Sequence, residues 1–457
     1  MSAPSALHYY LWSIGCQMNA ADAARLAEGL VARGLRPTRD PAEAGVLVLN
    51  TCVVRQSAED KVIGRLNSLR PLKSVPDARL LLVMGCFVGD ARELAARYPF
   101  VDAYLPPSDI AGALAAVDGW LAERGACGTV APTEGAPVGV SDGVPVSYGC
   151  DHHCTYCIVA LRRGPQRSRS VAEIVADVER LAARGVREVT LLGQNVDAYG
   201  ADLEGQPDLA DVLRAVHAVE GLWRIRFLTS HPADMTSRLI QTVAELPKVC
   251  PSWELAAQSG DDTVLRRMGR GYGAARVRAL VAEIRATTRH GAAMPECAIN
   301  TDIIVGFPSE TAAQFANTLR LLEELRFDMV HVAAYSTRPG TAAAAWPDDV
   351  PAAEKQGRRA AVEALQERIA GELNGALLGQ TLEILVDGQA KGRWRGRTRT
   401  NKLVFFESAE DWLGQLAPVR ITWAGPWSML GKVMGEADLS PRAVLGDRCG
   451  APAGPRP

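Results

Sequence analysis

Gly149-Cys-Asp-His-His-Cys-Thr-Tyr-Cys157 sets Cys150, Cys154 and Cys157 in a C-x3-C-x2-C spacing. The chain has ten cysteines among 457 residues. A given cysteine would find partners at both offsets by chance about 5 × 10⁻⁴ of the time, or about 5 × 10⁻³ over all ten, so the spacing is not compositional noise. The loop follows a strand candidate at Pro145 to Tyr148, the first of six. The others are Glu188 to Leu192, Trp223 to Leu228, Trp253 to Ala256, Cys297 to Val305 and Met329 to Tyr335. Helical patterns separate them. The clearest starts at Ser170, carries Val171, Ile174, Val175, Val178 and Leu181 at helical spacing, and stops at Gly185. Six strand–helix units over residues 140–375 predict a partial (β/α)6 barrel rather than an open sheet.

In such barrels chemistry sits at the carboxyl ends of the strands, where this loop falls. Three thiolates in one tight loop can hold three irons of a 4Fe–4S cubane and leave the fourth without a protein ligand, open to a chelating cofactor. That set is complete without His152 and His153, which read as solvent-facing loop residues.

Upstream, residues 7–123 alternate short apolar strands with helices, the pattern of an α/β domain with a parallel sheet. The strands are expected at Tyr9 to Ile14, Val46 to Leu49 and Leu80 to Met84, and helices at about Ala20 to Arg33, Glu59 to Leu72 and Asp90 to Arg97. Cys16, Cys52 and Cys86 each fall just past one of these strands. In a parallel sheet those turns share one edge, where helix N-termini favour anions. Residues distant in sequence can thus converge on one site. Plain burial is one alternative, because free cysteine is among the most buried residue types. A closed structural zinc site is less apt, since it wants four ligands, commonly in paired C-x2-C knuckles. Cys127, Cys250, Cys297 and Cys449 have no motif around them and read as bystander thiols.

A Gly/Pro-rich stretch near 124–144 separates the first two regions, and a helix over about 351–375 leads into the last. Residues 376–438 switch to short β patterns at Thr381 to Val386, Leu403 to Phe406, Val419 to Trp423 and Met429 to Val433, which predicts a small all-β barrel. Its distinctive run spans 391–402: Lys391, Arg393, Arg395, Arg397, Arg399 and Lys402 are basic, no acidic residue intervenes, and Trp394 is interleaved. Arg and Trp together suit phosphate contact and base stacking on RNA; a solvated charged hairpin is the plainer alternative. Residues 439–457, rich in Pro, Gly and Ala, are expected to be disordered.

Composition is that of an ordinary globular protein, with 47% hydrophobic and 22% charged residues and a formal net charge of −2. Near-neutrality excludes a uniformly basic coat, so RNA contact must be regional. The N-terminus has no cationic segment followed by an apolar one, and nowhere do 18 consecutive apolar residues occur, so a cytoplasmic protein without membrane contact is expected.

The cysteine loop at the head of a βα barrel resembles the radical S-adenosylmethionine (SAM) superfamily. Ser13-Ile-Gly-Cys-Gln-Met-Asn19, Leu49-Asn-Thr-Cys-Val-Val-Arg55, Leu192-Gly-Gln-Asn195, Gln258-Ser-Gly260 and Asp302-Ile-Ile-Val-Gly-Phe-Pro308 together resemble the methylthiotransferase family, and Gly-Cys-Gln-Met-Asn resembles its MiaB branch. Gly396-Arg-Thr398 and Asn401 resemble the TRAM domain, an RNA-binding β-barrel. The resemblance covers about residues 7–438.

It implies two 4Fe–4S clusters, one on Cys150, Cys154 and Cys157 that cleaves SAM, and an auxiliary one on Cys16, Cys52 and Cys86. It also implies Tyr156, Gln258, Asp302 and Ile304 as residues near SAM, and Lys391, Arg393, Trp394, Arg395, Arg397, Arg399 and Lys402 as the RNA contact. The implied reaction adds a methylthio group to C2 of N6-isopentenyladenosine beside the anticodon of tRNA, with one SAM methylating a sulfur species on the auxiliary cluster and a second yielding a 5′-deoxyadenosyl radical. Adenine C2–H is not acidic, so a cofactor-derived radical suits it better than acid–base groups. An electron donor and a sulfur or cluster donor are the implied partners of a monomeric enzyme. Relatives of the same chemistry act on threonylcarbamoyladenosine or on a ribosomal-protein aspartate. A non-catalytic, metal-stabilised RNA-binding protein is the reading of another class. Ala160-Leu-Arg-Arg-Gly164 departs from the family's Pro-x-Thr-Arg-Gly, Arg169 stands where Pro is usual, and the surroundings Leu255-Ala-Ala-Gln258 also differ. These departures lie near the expected substrate mouth.

Overall fold

A computed structural model describes residues 7–53, 56–73, 79–125, 139–287 and 297–435. Cys127, Cys449 and the tail expected to be disordered lie outside the described residues. The chain divides into two compact units, Met1–Ala364 and Leu365–Pro457, and the division falls inside the helix Ala352–Gly375.

The first unit opens with a five-stranded parallel sheet in the order β2-β1-β3-β4-β5. Its strands are β1 (His8–Ser13), β2 (Arg36–Pro37), β3 (Val46–Thr51), β4 (Leu80–Gly85) and β5 (Ala103–Leu105). Three strands were expected here. The two added ones, β2 and β5, are the short sheet edges, with too few residues to show any periodicity. Val46 and Val48 pack on one face, and Leu47 and Leu49 on the other. A parallel strand covered on both faces by helices reads as a continuous apolar run, which β3 is.

The strands β6 (Ser141–Pro145), β9 (Glu188–Leu192), β10 (Arg224–Phe227), β11 (Ser252–Glu254), β12 (Ala298–Val305) and β13 (Met329–Ala334) form the partial barrel. They pair in parallel as β10-β9-β6 and β11-β12-β13, and bridges such as Ser230 with Leu255 link the two halves. The helix at Val171–Ala183 begins as its sequence required, with Ser170 and Glu173 forming a capping box. The first barrel strand corrects the expected Pro145 to Tyr148. It lies earlier, at β6, while β7 (Ser147–Tyr148) turns away to pair antiparallel with β8 (Arg167–Ser168). The cysteine loop is therefore held at its base by a two-stranded clip.

The second unit is a closed barrel in the order β14-β15-β16-β18-β17. Its strands are β14 (Thr381–Ala390), β15 (Arg393–Arg397), β16 (Leu403–Glu407), β17 (Leu416–Ala424) and β18 (Met429–Val433). Four strands were expected; the fifth, β15, is the basic run itself. Its inward positions are Trp394 and Gly396, and Gly396 lies so close to β14 that a Cβ there would stand 2.3 Å from the Leu385 carbonyl oxygen. No helix among the described residues is long and apolar enough to cross a membrane.

Candidate functional site

Because β1, β3 and β4 are neighbours, their carboxyl ends carry Cys16, Cys52 and Cys86 to one place. Tight turns make this possible. Gly15 has φ +135°, and a Cβ there would stand 2.6 Å from the Cβ of Cys52; Gly85 has φ +104°, and its Cβ would lie 2.3 Å from the Thr51 carbonyl oxygen. Only glycine fits both contacts and both backbone conformations. Asn19, 1% exposed, ties the turns together by donating to the carbonyls of Ile14 (3.0 Å) and Thr51 (2.8 Å). The Cys86 thiol is pushed up by burial and by the neighbouring Cys52 and Cys16, and held down by Arg163. The three thiols are thus electrostatic neighbours.

Arg163 comes from the barrel, at the end of the helix Val159–Arg163 that leaves the cysteine loop. Its buried guanidinium donates to Asn19 Oδ1 (2.9 Å) and Ser108 Oγ (3.0 Å), bonds the Cys86 thiol, and lies 4.0 Å from the Asp22 carboxylate. One side chain therefore ties the helix that follows the compact cysteine loop to the site of the dispersed cysteines. Residue spacing and composition did not mark it; only the family's Pro-x-Thr-Arg-Gly pattern, whose arginine falls at Arg163, offered a signal. Arg338, 5% exposed, also feels Cys52 and pairs with Glu59 at 3.6 Å.

Cys150, Cys154 and Cys157 also feel one another's charge. Burial pushes the Cys157 thiol up to about 11, although the backbone N–H groups of Val159 and Ala160 bond it. Such a group stays neutral unless a cation compensates its thiolate. The loop is anchored by Thr155, whose N–H donates to the Met268 carbonyl (3.0 Å) and whose hydroxyl donates to that of Arg267 (2.9 Å), and Gly149 N–H donates to Gln194 Oε1 (2.6 Å). Arg270 donates to Cys154 Sγ at 3.3 Å and to the Ala256 carbonyl at 2.9 Å.

Tyr156 and Ile304 meet in one apolar cluster with Phe307, and Tyr156 lies edge-on to Phe307 with centroids 6.4 Å apart. Gln258, at φ +67°, lies beside β12 through a bridge to Ile303, its N–H donating to the Asp302 carbonyl (2.8 Å), and its buried Oε1 has no hydrogen-bond partner among the described residues. The structure thus brings Tyr156, Gln258, Asp302 and Ile304 to the same side of the barrel as the cysteine loop. A buried acceptor with no donor fits a site shaped for a polar ligand.

His152 corrects its expected solvent-facing place. It is half-buried, stacks on His231 with centroids 3.9 Å apart, and bonds Asp234 at 2.5 Å. His153 is exposed, as expected. Cys250 and Cys297 are buried. In the closed barrel, Trp394 is also corrected: it is 9% exposed, packs in the core and donates its indole N–H to the Ser408 carbonyl (3.3 Å), so it offers no stacking face. Lys391 and Arg393 are exposed, and Arg395, Arg397, Arg399 and Lys402 half-buried. Arg393 pairs with Glu407 (2.9 Å), Arg395 with Asp387 (2.7 Å), Arg397 donates to the Asn401 carbonyl (3.0 Å), and Lys402 donates to Asn374 Oδ1 (3.0 Å).

A six-strand partial barrel with three thiols in its first loop defines a class, and the Radical SAM superfamily matches residues 144–322. Uncharacterized protein family UPF0004 matches 8–106 and the TRAM domain matches 375–434. A tRNA-2-methylthio-N(6)-dimethylallyladenosine synthase of Roseiflexus sp. (strain RS-1) is 48% identical, over 96% of this chain and 91% of the relative. The synthase of the same name from Chloroflexus aurantiacus is 48% identical over 94% of this chain and 92% of its own length. The chain belongs to the family of these tRNA-2-methylthio-N(6)-dimethylallyladenosine synthases. Among solved structures, the radical S-adenosylmethionine methyltransferase TsrM from Kitasatospora setae, with cobalamin and a 4Fe–4S cluster bound, shares the fold at a TM-score of 0.54 and 13% identity, covering 74% of this chain and 77% of that one.

Proposed function

We propose that this protein is a tRNA methylthiotransferase that places a methylthio group on C2 of N6-isopentenyladenosine beside the anticodon. The observation that carries the reading is the presence of two separate groups of three thiols, one in the barrel loop and one at the ends of β1, β3 and β4, the second held by Arg163 from the helix that follows the first. The donor sets fit the groups that the family implies. Each provides three soft ligands and, among the described residues, no fourth cysteine, as a 4Fe–4S cluster with one open iron requires. Cys150, Cys154 and Cys157 would hold one cluster and Cys16, Cys52 and Cys86 the other. When bound, the two clusters with SAM supply reducing electrons, a carbon radical and a transferable sulfur.

The chain's own residues hold and shield. Tyr156, Ile304 and Phe307 give an apolar wall suited to the adenine of SAM, and Gln258 Oε1 and Asp302 offer it polar partners. Arg270 and Arg163 place fixed positive charge beside Cys154 and Cys86. The working divisions are 7–123 for the dispersed thiols, 140–375 for the SAM barrel and 376–438 for RNA. A monomer in the cytoplasm, served by an electron donor and a sulfur or cluster donor, completes the reading.

Mass analysis of tRNA nucleosides from a strain lacking and then regaining the gene tests it. The 2-methylthio derivative of isopentenyladenosine should vanish and return. Its persistence, with loss of the threonylcarbamoyladenosine derivative instead, would move the protein to the rival substrate.

A further inference from the structure

The register of the closed barrel brings together residues that lie far apart in sequence. Trp394, Gly396, Val404, Phe406, Val419 and Ile421 point into the core, so their neighbours along each strand face outward. Across β15, β16, β18 and β17 one outward row reads Arg395, Phe405, Leu430, Trp423. The adjacent row reads Arg393, Glu407, Lys432, Arg420. Trp423 is 50% exposed, and Trp427, in the turn joining β17 to β18, is 51% exposed.

Within these rows the charges are not equally engaged. Arg393 and Arg395 pair with Glu407 and Asp387. Glu407 is the register neighbour of Lys432, yet it is held by Arg393. Arg420 and Lys432 stand directly opposite each other and make no hydrogen bond or ion pair among the described residues. Like charges directly opposite on a sheet are destabilising, and an anion between them would reverse the sign. A half-exposed indole beside such a pair suits a ligand that alternates phosphate with flat apolar rings.

We propose that this outer face binds an unpaired segment of RNA, with Trp423 stacking a base and the Arg420–Lys432 pair taking phosphate. The proposal rests on the tRNA reading above and names the surface and the mode of contact. Unpaired rather than duplex RNA follows from the indole, because bases in a helix are already stacked and present only their edges. Phe405 and Leu430 lie between Trp423 and Arg395 and extend the apolar strip along which the strand would run.

The test uses the full-length chain, purified anaerobically, and four probes: tRNA, an RNA hairpin with an unpaired loop, the same strand annealed into a full duplex, and polyglutamate. Trp423→Ala, with thermal unfolding like the parent's, should weaken hairpin binding about tenfold, Trp423→Phe should restore most of it, and duplex binding should not change. Arg420→Gln and Lys432→Gln should each lower the log–log salt slope for the hairpin by about 1. If the parent binds tRNA and all these variants bind the hairpin as it does, the face is not the RNA contact while the tRNA reading stands. Polyglutamate binding as tight as the hairpin would reassign the face to an acidic protein. A parent that binds no tRNA at all would sink both.

Discussion

The two groups of cysteines are built by opposite means. Cys150, Cys154 and Cys157 share one loop, so local chain geometry brings them together whatever the rest of the molecule does. Cys16, Cys52 and Cys86 arrive from the ends of three strands and meet only because β1, β3 and β4 are adjacent and parallel. The difference teaches that a compact site can survive damage to its surroundings, whereas a dispersed one depends on the whole sheet and on what braces it. Arg163 and Asn19 are that brace.

The largest effect should come from the compact group. Cys154→Ala is expected to abolish 5′-deoxyadenosine formation in chain reconstituted anaerobically with iron and sulfide. Cys16→Ala should leave some reductive SAM cleavage, lower iron by about four atoms per chain and eliminate methylthio-tRNA, since ligands of one cluster do not complete the other. Methylthiolation at the parental rate in that variant would return the dispersed cysteines to plain buried residues.

Next comes the brace. Arg163→Met leaves Asp22 and Asn19 Oδ1 buried without their cation, which should cost about 3 kcal/mol in urea unfolding. Iron retained per chain should fall toward that of the Cys16 variant while the barrel loop stays loaded. An unchanged iron content would show that the two groups are independent.

Smaller effects lie away from the thiols. Burial pushes the Asp197 carboxyl up to about 8 from its ordinary 3.8, against hydrogen bonds from the Ser230 hydroxyl and His231 N–H. The folded chain therefore holds a proton that the unfolded chain releases. The stability this gives is full below about pH 4 and is lost as pH rises through about 8. Thermal unfolding across that range should show the decline, and Asp197→Asn should flatten it. Smallest of all, replacing Arg393, Arg395, Arg397 and Arg399 with Ala should reduce the salt slope of tRNA binding by roughly 1 for each phosphate left without its cation. Two of these arginines are already paired to carboxylates, so the change should be less than four such steps.

Sequence alone was enough for whatever depends on neighbours along the chain. The cysteine loop shows in its spacing, the strand–helix alternation in apolar runs, the helix from Ser170 in its apolar spacing and its stop at Gly185, and the basic run in its charge. The dispersed thiols were legible as turn residues because a parallel sheet puts all its strand ends on one edge. Tertiary structure decided the rest. Trp394 sits inside the barrel because pleat parity sends alternate residues inward, a parity that a run read as a hairpin does not fix. His152 leaves solvent because the segment after β10 brings His231 and Asp234 to it. Arg163 gains its importance only when its helix meets the end of the N-terminal sheet, and Trp423 joins the basic strand only through the closure of β16, β18 and β17. In each case the partner lies too far along the chain for composition or periodicity to register it, and only packing brings the two into contact.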